Sequence, residues 1–123
     1  MTKPANELEQ QFHQQMLGIY EAAKRLKPPY HATRFHQMVV ERGGKDAADA
    51  LLATANTSEG FTELYLRGKR LDLSVEYLVL QDPWRQLFSA EQLAVARRRL
   101  LDHNFSPPSE DETLAKTTPQ DSS

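Results

Sequence analysis

No cysteine occurs among the 123 residues, so disulfides, a thiolate metal site and a cysteine nucleophile are all excluded. Long apolar runs are missing too: the longest are four residues, far below the length of a membrane-spanning helix. The N-terminal Met1-Thr2-Lys3-Pro4-Ala5-Asn6 leads into charged residues rather than an apolar core, so no signal peptide is expected and the cytoplasm is the expected location. Neither sign of charge dominates, with 15 Lys and Arg against 17 Asp and Glu. That balance lacks the basic excess of a dedicated nucleic-acid binder. A phosphate loop, a Gly-x-Ser-x-Gly elbow and a His-Glu-x-x-His helix are also absent, and Gly43-Gly44-Lys45 has no strand before it to make a phosphate loop. No catalytic residue, cofactor or metal is implied.

What is present divides at about residue 105. Residues 106–123 hold only Leu114 and Ala115 as apolar side chains among Ser, Thr, Pro, Asp and Glu, a composition that predicts a disordered tail. Its acids, Glu110, Asp111, Glu112 and Asp121, outnumber Lys116 and give it a net charge of −3, whereas residues 1–105 carry +1. The chain is therefore expected to be one helical domain, 1–105, followed by an acidic tail, 106–123.

Within the domain the dominant pattern is helical. Leu8, Phe12, Met16, Ile19, Tyr20, Ala23 and Leu26 recur at spacings of three and four, with Asn6 and Glu9 as a capping box and Lys27-Pro28-Pro29 as the stop. Further helices are predicted over Ala32–Arg42, closed by Gly43-Gly44, over Asp46–Ala55, and over Glu59–Arg67, for which the turn Asn56-Thr57-Ser58 supplies a cap and Gly68 the stop. Leu71–Leu80 alternates apolar and polar residues as a strand would. Ser74 is nevertheless a good helix cap, and no second strand exists for pairing, so a helix after Ser74 is expected. Asp82-Pro83 should start a short turn of helix bearing Trp84, a core anchor, with Asp82 as its cap. The last helix has Ser89 and Gln92 as capping box, Leu93, Ala96, Leu100 and Leu101 inward, and Asn104 and Phe105 closing it. The fold class is all-α, a compact bundle of five to seven short helices with a disordered C-terminal tail.

The run Ala32-Thr33-Arg34-Phe35, Gly43-Gly44, Ala47-Ala48, Leu51-Leu52, then Gly60-Phe61, Leu64, Gly68-Lys69-Arg70-Leu71-Asp72-Leu73-Ser74-Val75-Glu76, Leu80, and then Trp84, Leu87-Phe88, Glu91, Ala96-Arg97 resembles a family of small uncharacterised all-helical bacterial proteins. Gly68–Glu76 is the most specific part. The resemblance implies a bacterial cytoplasmic origin and an independently folding helical unit, but no activity.

Candidate chemistry is thin. His31 and His36 are five apart, the wrong spacing for joint ligation; Glu9 and His13 share a face but make only a two-ligand pair, and surface histidines, His103 included, are the simpler reading. Asp72 and Glu76 lie one turn apart near Ser74, where capping explains carboxylates better than acid–base catalysis. Three basic groups remain: Lys24, Arg25 and Lys27; Arg67, Lys69 and Arg70; and Arg97, Arg98 and Arg99. The last three spread around a helix, with Arg98 and Arg99 expected toward solvent and Arg97 expected at the edge of the apolar stripe, pairing with Asp72 or Glu76. Gly18, inside the first helix, marks either a close helix approach or a tolerated cost.

The function expected is a non-enzymatic protein-interaction or regulatory accessory module. Candidate partner or phosphate contacts are Lys24, Arg25, Arg67, Lys69, Arg70, Arg98 and Arg99. A protein partner is expected and membrane association is not; oligomeric state is left open. The alternative is a nucleic-acid-binding helical module using the same clusters, in which the two helices around Gly43-Gly44 outline a helix–turn–helix whose second helix carries acids and no arginine.

Overall fold

Each amphipathic segment of the sequence must bury its apolar stripe, and in the computed structural model, which describes residues 4–108, they bury it against one another. Six α-helices result: α1 (Pro4–Lys24), α2 (Thr33–Arg42), α3 (Gly44–Ala53), α4 (Glu59–Leu66), α5 (Val75–Val79) and α6 (Ala90–Asp102). Two 3-10 turns, Leu71–Leu73 and Trp84–Leu87, flank α5. Among the described residues there is no strand, and no helix long and apolar enough to cross a membrane. The tail reading falls mostly on residues 109–123, outside the described residues.

Phe12 and Met16 of α1 belong to one buried cluster with Val39, Ala47, Phe61, Leu71, Val79 and Leu100. Burying one such side chain contributes roughly 1.5–3 kcal/mol. Trp84 joins this core as expected, its ring 5.9 Å from that of Phe12, with Phe88 edge-on at 5.4 Å. α3 lies between α1, α2 and α6 and buries Ala47, Ala48 and Leu52, so most of its surface is occupied by its neighbours.

Capping follows the sequence closely at α4, α5 and α6. Ser58 accepts from the Phe61 N–H, Ser74 from Tyr77, and Ser89 with Gln92 completes the reciprocal box. Asn104 takes φ 58, closing α6, and Phe105 folds back to donate its N–H to Leu100 and set its ring 5.7 Å from Tyr77. Three starts differ. α1 begins at Pro4, upstream of the expected Asn6 cap. α3 begins at Gly44, because Gly43 alone (φ 88) makes the break after α2. Asp82 caps nothing: its carboxylate is taken by Arg85 at 2.9 Å.

The alternation in Leu71–Leu80 has a different origin from a strand. Leu71, Ser74, Val75, Glu76, Leu78, Val79 and Leu80 are all buried, so the polar Ser74 and Glu76 are enclosed and only Asp72 is exposed.

The close helix approach lies at Gly44, not Gly18. A Cβ at Gly44 would stand 2.7 Å from the His13 Cα, whereas one at Gly18 meets nothing within 4 Å. Gly18→Ala is therefore expected to raise stability by about 0.5–1 kcal/mol, read as a higher urea midpoint with unchanged slope; a lower midpoint would show that α1 needs its glycine.

Candidate functional site

α4 ends in a tight reversal that fixes the second basic group. The Lys69 N–H donates to Tyr65 O at 2.8 Å and the Arg70 N–H to Leu64 O at 2.8 Å, while Gly68 and Lys69 both hold positive φ, 93 and 58. Glycine suits that region; a lysine there carries roughly 1 kcal/mol of strain. The conformation projects Lys69 into solvent beside Leu66, which is 69% exposed.

The turn that follows the first basic group meets the second at Arg67. Arg67 stacks 5.0 Å over the Tyr30 ring, donates from Nε to Pro28 O at 3.1 Å, and pairs with Glu63. The turn after Lys27 is thereby held against α4. Burial pushes the Tyr30 phenol above its ordinary value, with Glu59 and Glu63 adding to the effect. Of the cations on this face, Lys24 pairs with Glu21 at 3.2 Å and Arg70 grips Asp72 through two bonds of 3.0 Å, which raise the guanidinium above its ordinary value. Arg25, Lys27 and Lys69 are exposed and have no carboxylate within ion-pair distance among the described residues. The two turns that Arg67 joins carry six cations, Lys24, Arg25, Lys27, Arg67, Lys69 and Arg70, three of which are matched by carboxylates, and Leu66 is exposed at the end of α4.

The third group does not join them, and one of its placements is reversed. Arg99 is 7% exposed and faces inward, not toward solvent. Its guanidinium bonds Glu76 at 2.9 Å, Leu51 O at 3.1 Å and Thr54 O at 2.6 Å, joining α6 to α5 and to the end of α3. Arg97, expected as the partner of Asp72 or Glu76, takes neither, since Arg70 holds Asp72 and Arg99 holds Glu76. The cause is Leu101. Counted as inward, it turns the apolar stripe toward Arg97, but Leu101 is 54% exposed and the buried stripe runs through Ala96, Arg99 and Leu100. Burial pushes the Glu76 carboxyl above its ordinary value, opposed by the hydrogen bond and charge of Arg99. Arg98 alone of the triplet stays exposed, lining a groove of about 450 Å³ with Thr54, Asn56, Asp102 and His103.

The histidines serve packing. His13 Nδ1 accepts the Gly44 N–H at 2.9 Å, satisfying the start of α3, and His103 sits edge-on to Phe61 and Tyr65 at 4.9 and 5.0 Å. His36 stacks on Tyr20 at 4.3 Å, and His31 is exposed. Among the described residues no three His, Asp or Glu side chains are grouped to hold a metal ion.

Leu66 was not among the residues singled out from sequence. Its signal was available: on α4 it falls opposite the stripe of Phe61 and Leu64, where a solvated helix places polar residues. No family model, no curated protein and no solved structure matches the chain.

Proposed function

We propose that the protein is a non-enzymatic protein-interaction or regulatory accessory module of a bacterial cytoplasmic system, and that it docks an acidic, apolar-containing partner on the face around the end of α4. The observation that carries this reading is the exposed Leu66 at the end of α4, three residues before the exposed Lys69 in the turn that follows. Protein interfaces combine an apolar centre with a polar rim. A phosphate backbone rewards density of unpaired cations instead, and here Glu21, Glu63 and Asp72 interleave with the basic side chains. The bacterial and cytoplasmic part rests on the resemblance carried by Gly68–Glu76.

Affinity capture from nuclease-treated lysate, with wild type beside a Leu66→Asp/Lys69→Glu variant, tests it. Both substituted side chains are exposed, so the fold should be kept. The expected result is a protein recovered by wild type and reduced at least about tenfold by the variant, the loss of ~1.4 kcal/mol or more typical of an interface anchor. Recovery that disappears with nuclease, or that the variant leaves intact, would refute the proposal.

A further inference from the structure

The groove at Arg98 carries two opposite charges that the fold leaves unpaired. Arg98 and Asp102 are both exposed, one turn apart on α6, and both line it. Neither has an ion-pair partner among the described residues, and they do not pair with each other. A cation four residues before an acid is the weaker order for a helix pair, and such a pair would alter a binding constant by no more than about two- to threefold. A ligand therefore competes with almost nothing for either charge. The opposite wall is the α3–α4 link, where the Asn56 amide and the Thr57 hydroxyl make no side-chain hydrogen bond among the described residues. Its backbone is nevertheless fixed. Arg99, 7% exposed, also lines the groove and donates to Thr54 O at 2.6 Å and to Thr54 Oγ1 at 3.3 Å. The Thr54 hydroxyl in turn donates to Asn56 O at 2.7 Å. Idle polar side chains on a backbone held by a buried guanidinium make a wall that a ligand does not have to order.

Size and charge narrow what fits. A volume of about 450 Å³ falls in the range of small-molecule sites, about 300–1,000 Å³. The fixed charges cancel, Arg98 against Asp102 and Arg99 against Glu76. Asp102 would repel a phosphate or other polyanion, and Arg98 would repel a simple cation. A molecule with one charge of each sign satisfies both. A guanidinium takes a carboxylate through two parallel bonds, and a carboxylate accepts from an ammonium. Ala94 and Val95 add apolar surface to the lining. We propose that the groove binds a small zwitterion of the α-amino-acid type with a short aliphatic side chain. Its carboxylate sits on Arg98, its ammonium on Asp102 and its side chain on Ala94 and Val95, while Asn56 and Thr57 complete its hydrogen bonds. Neither Leu66 nor Lys69 lines the groove, so this site does not rest on the reading of the α4 face. It adds a small-molecule ligand to an interaction module.

Titration of the isotope-enriched full-length chain with L-valine, followed through its amide resonances, tests the site. The amides of Asn56, Thr57, Arg98 and Asp102 should shift and saturate with a Kd of about 1 mM or below, a strength that two charge-assisted bonds permit. Two fragments of the same molecule separate the charges. 3-Methylbutanoate lacks the ammonium and 2-methylpropylamine lacks the carboxylate, and each should bind at least about tenfold more weakly. Arg98→Ala and Asp102→Ala change exposed side chains, so the fold should be kept, and each should weaken valine at least about tenfold. The fragments should respond selectively: Asp102→Ala leaves 3-methylbutanoate bound no more weakly than before, and Arg98→Ala does the same for the amine. A merely structural role of either residue would not produce that crossing pattern. Absence of a saturable shift with valine up to about 20 mM, shifts centred away from the groove, or either fragment binding as well as valine would overturn the proposal. So would variants that bind valine as wild type does. No protein partner enters this titration, so its failure and a failed capture on the α4 face are separately visible.

Discussion

Arg99→Leu is expected to lower the unfolding free energy by about 3–5 kcal/mol, the cost of stranding one member of a buried ion pair. That is a large part of the roughly 5–15 kcal/mol that holds a domain together. The exposed charges elsewhere could be removed for less than about 1 kcal/mol each. The difference lies in what Arg99 touches. Besides Glu76, which is 3% exposed, it donates to the carbonyls of Leu51 and Thr54, so the leucine strips a buried carboxyl and the Thr54 carbonyl of this donor, while Leu51 O keeps only the Thr54 hydroxyl at 2.9 Å. The loss should also depend on pH. Burial holds the Glu76 carboxyl above its unfolded value, so its contribution to stability is fully present below the ordinary glutamate range, near pH 4.5, and is lost as pH rises through the higher folded value. Without Arg99 the upward push is unopposed. The cost of Arg99→Leu is therefore expected to be smallest in acid and to grow toward neutral pH, and urea titrations of both proteins from pH 4.5 to neutrality would show it. A cost under about 1 kcal/mol at neutral pH, or one that shrinks as pH rises, would show that the pair is not what joins α5 to α6.

Gly44→Ala is expected to cost about 2–3 kcal/mol, or on the order of 10–20 °C in Tm for a domain of this size. The added methyl would meet the backbone of α1 at His13 Cα, 2.7 Å away, with Met16 Cγ at 3.2 Å. A side chain could rotate aside; a helix backbone cannot. Relief requires α3 to move away from α1, and that movement lengthens the bond from the Gly44 N–H to His13 Nδ1 and loosens the contacts of Ala47 and Ala48. Calorimetry of Gly44→Ala beside Gly18→Ala provides the comparison: the same substitution, in helices of one bundle, with opposite signs. If the two variants melted together, helix propensity rather than interhelical spacing would govern both.

Where local chemistry decides structure, the sequence was readable. The α1 stripe, the serine caps of α4, α5 and α6 and the left-handed Asn104 each depend on neighbours within about one or two turns of helix, and each stands where the pattern placed it. Misreadings came from long-range effects. Helical spacing could not show that Leu101 would be left in solvent, and so it assigned the buried pairing to Arg97 instead of Arg99. The pattern marks Gly18 as the candidate close approach and Gly44 only as part of a helix stop, yet it is Gly44 that lies in the contact of α1 and α3. The basic groups were visible as composition. That the Lys27 turn would be drawn to Arg67 through Tyr30 and Pro28, while Arg98 stood in a groove of its own, depends on contacts up to 39 residues apart.

The fork of Arg99 reaches beyond thermodynamics. The α3–α4 connection, with Ala53, Thr54, Ala55 and Asn56 all exposed, looks like an easy substrate for a protease. A protease must peel a strap of chain away from the body to cut it, and this strap is pinned at Thr54 by a guanidinium rooted in the last turn of the last helix. The link should be nicked no faster than the whole domain opens.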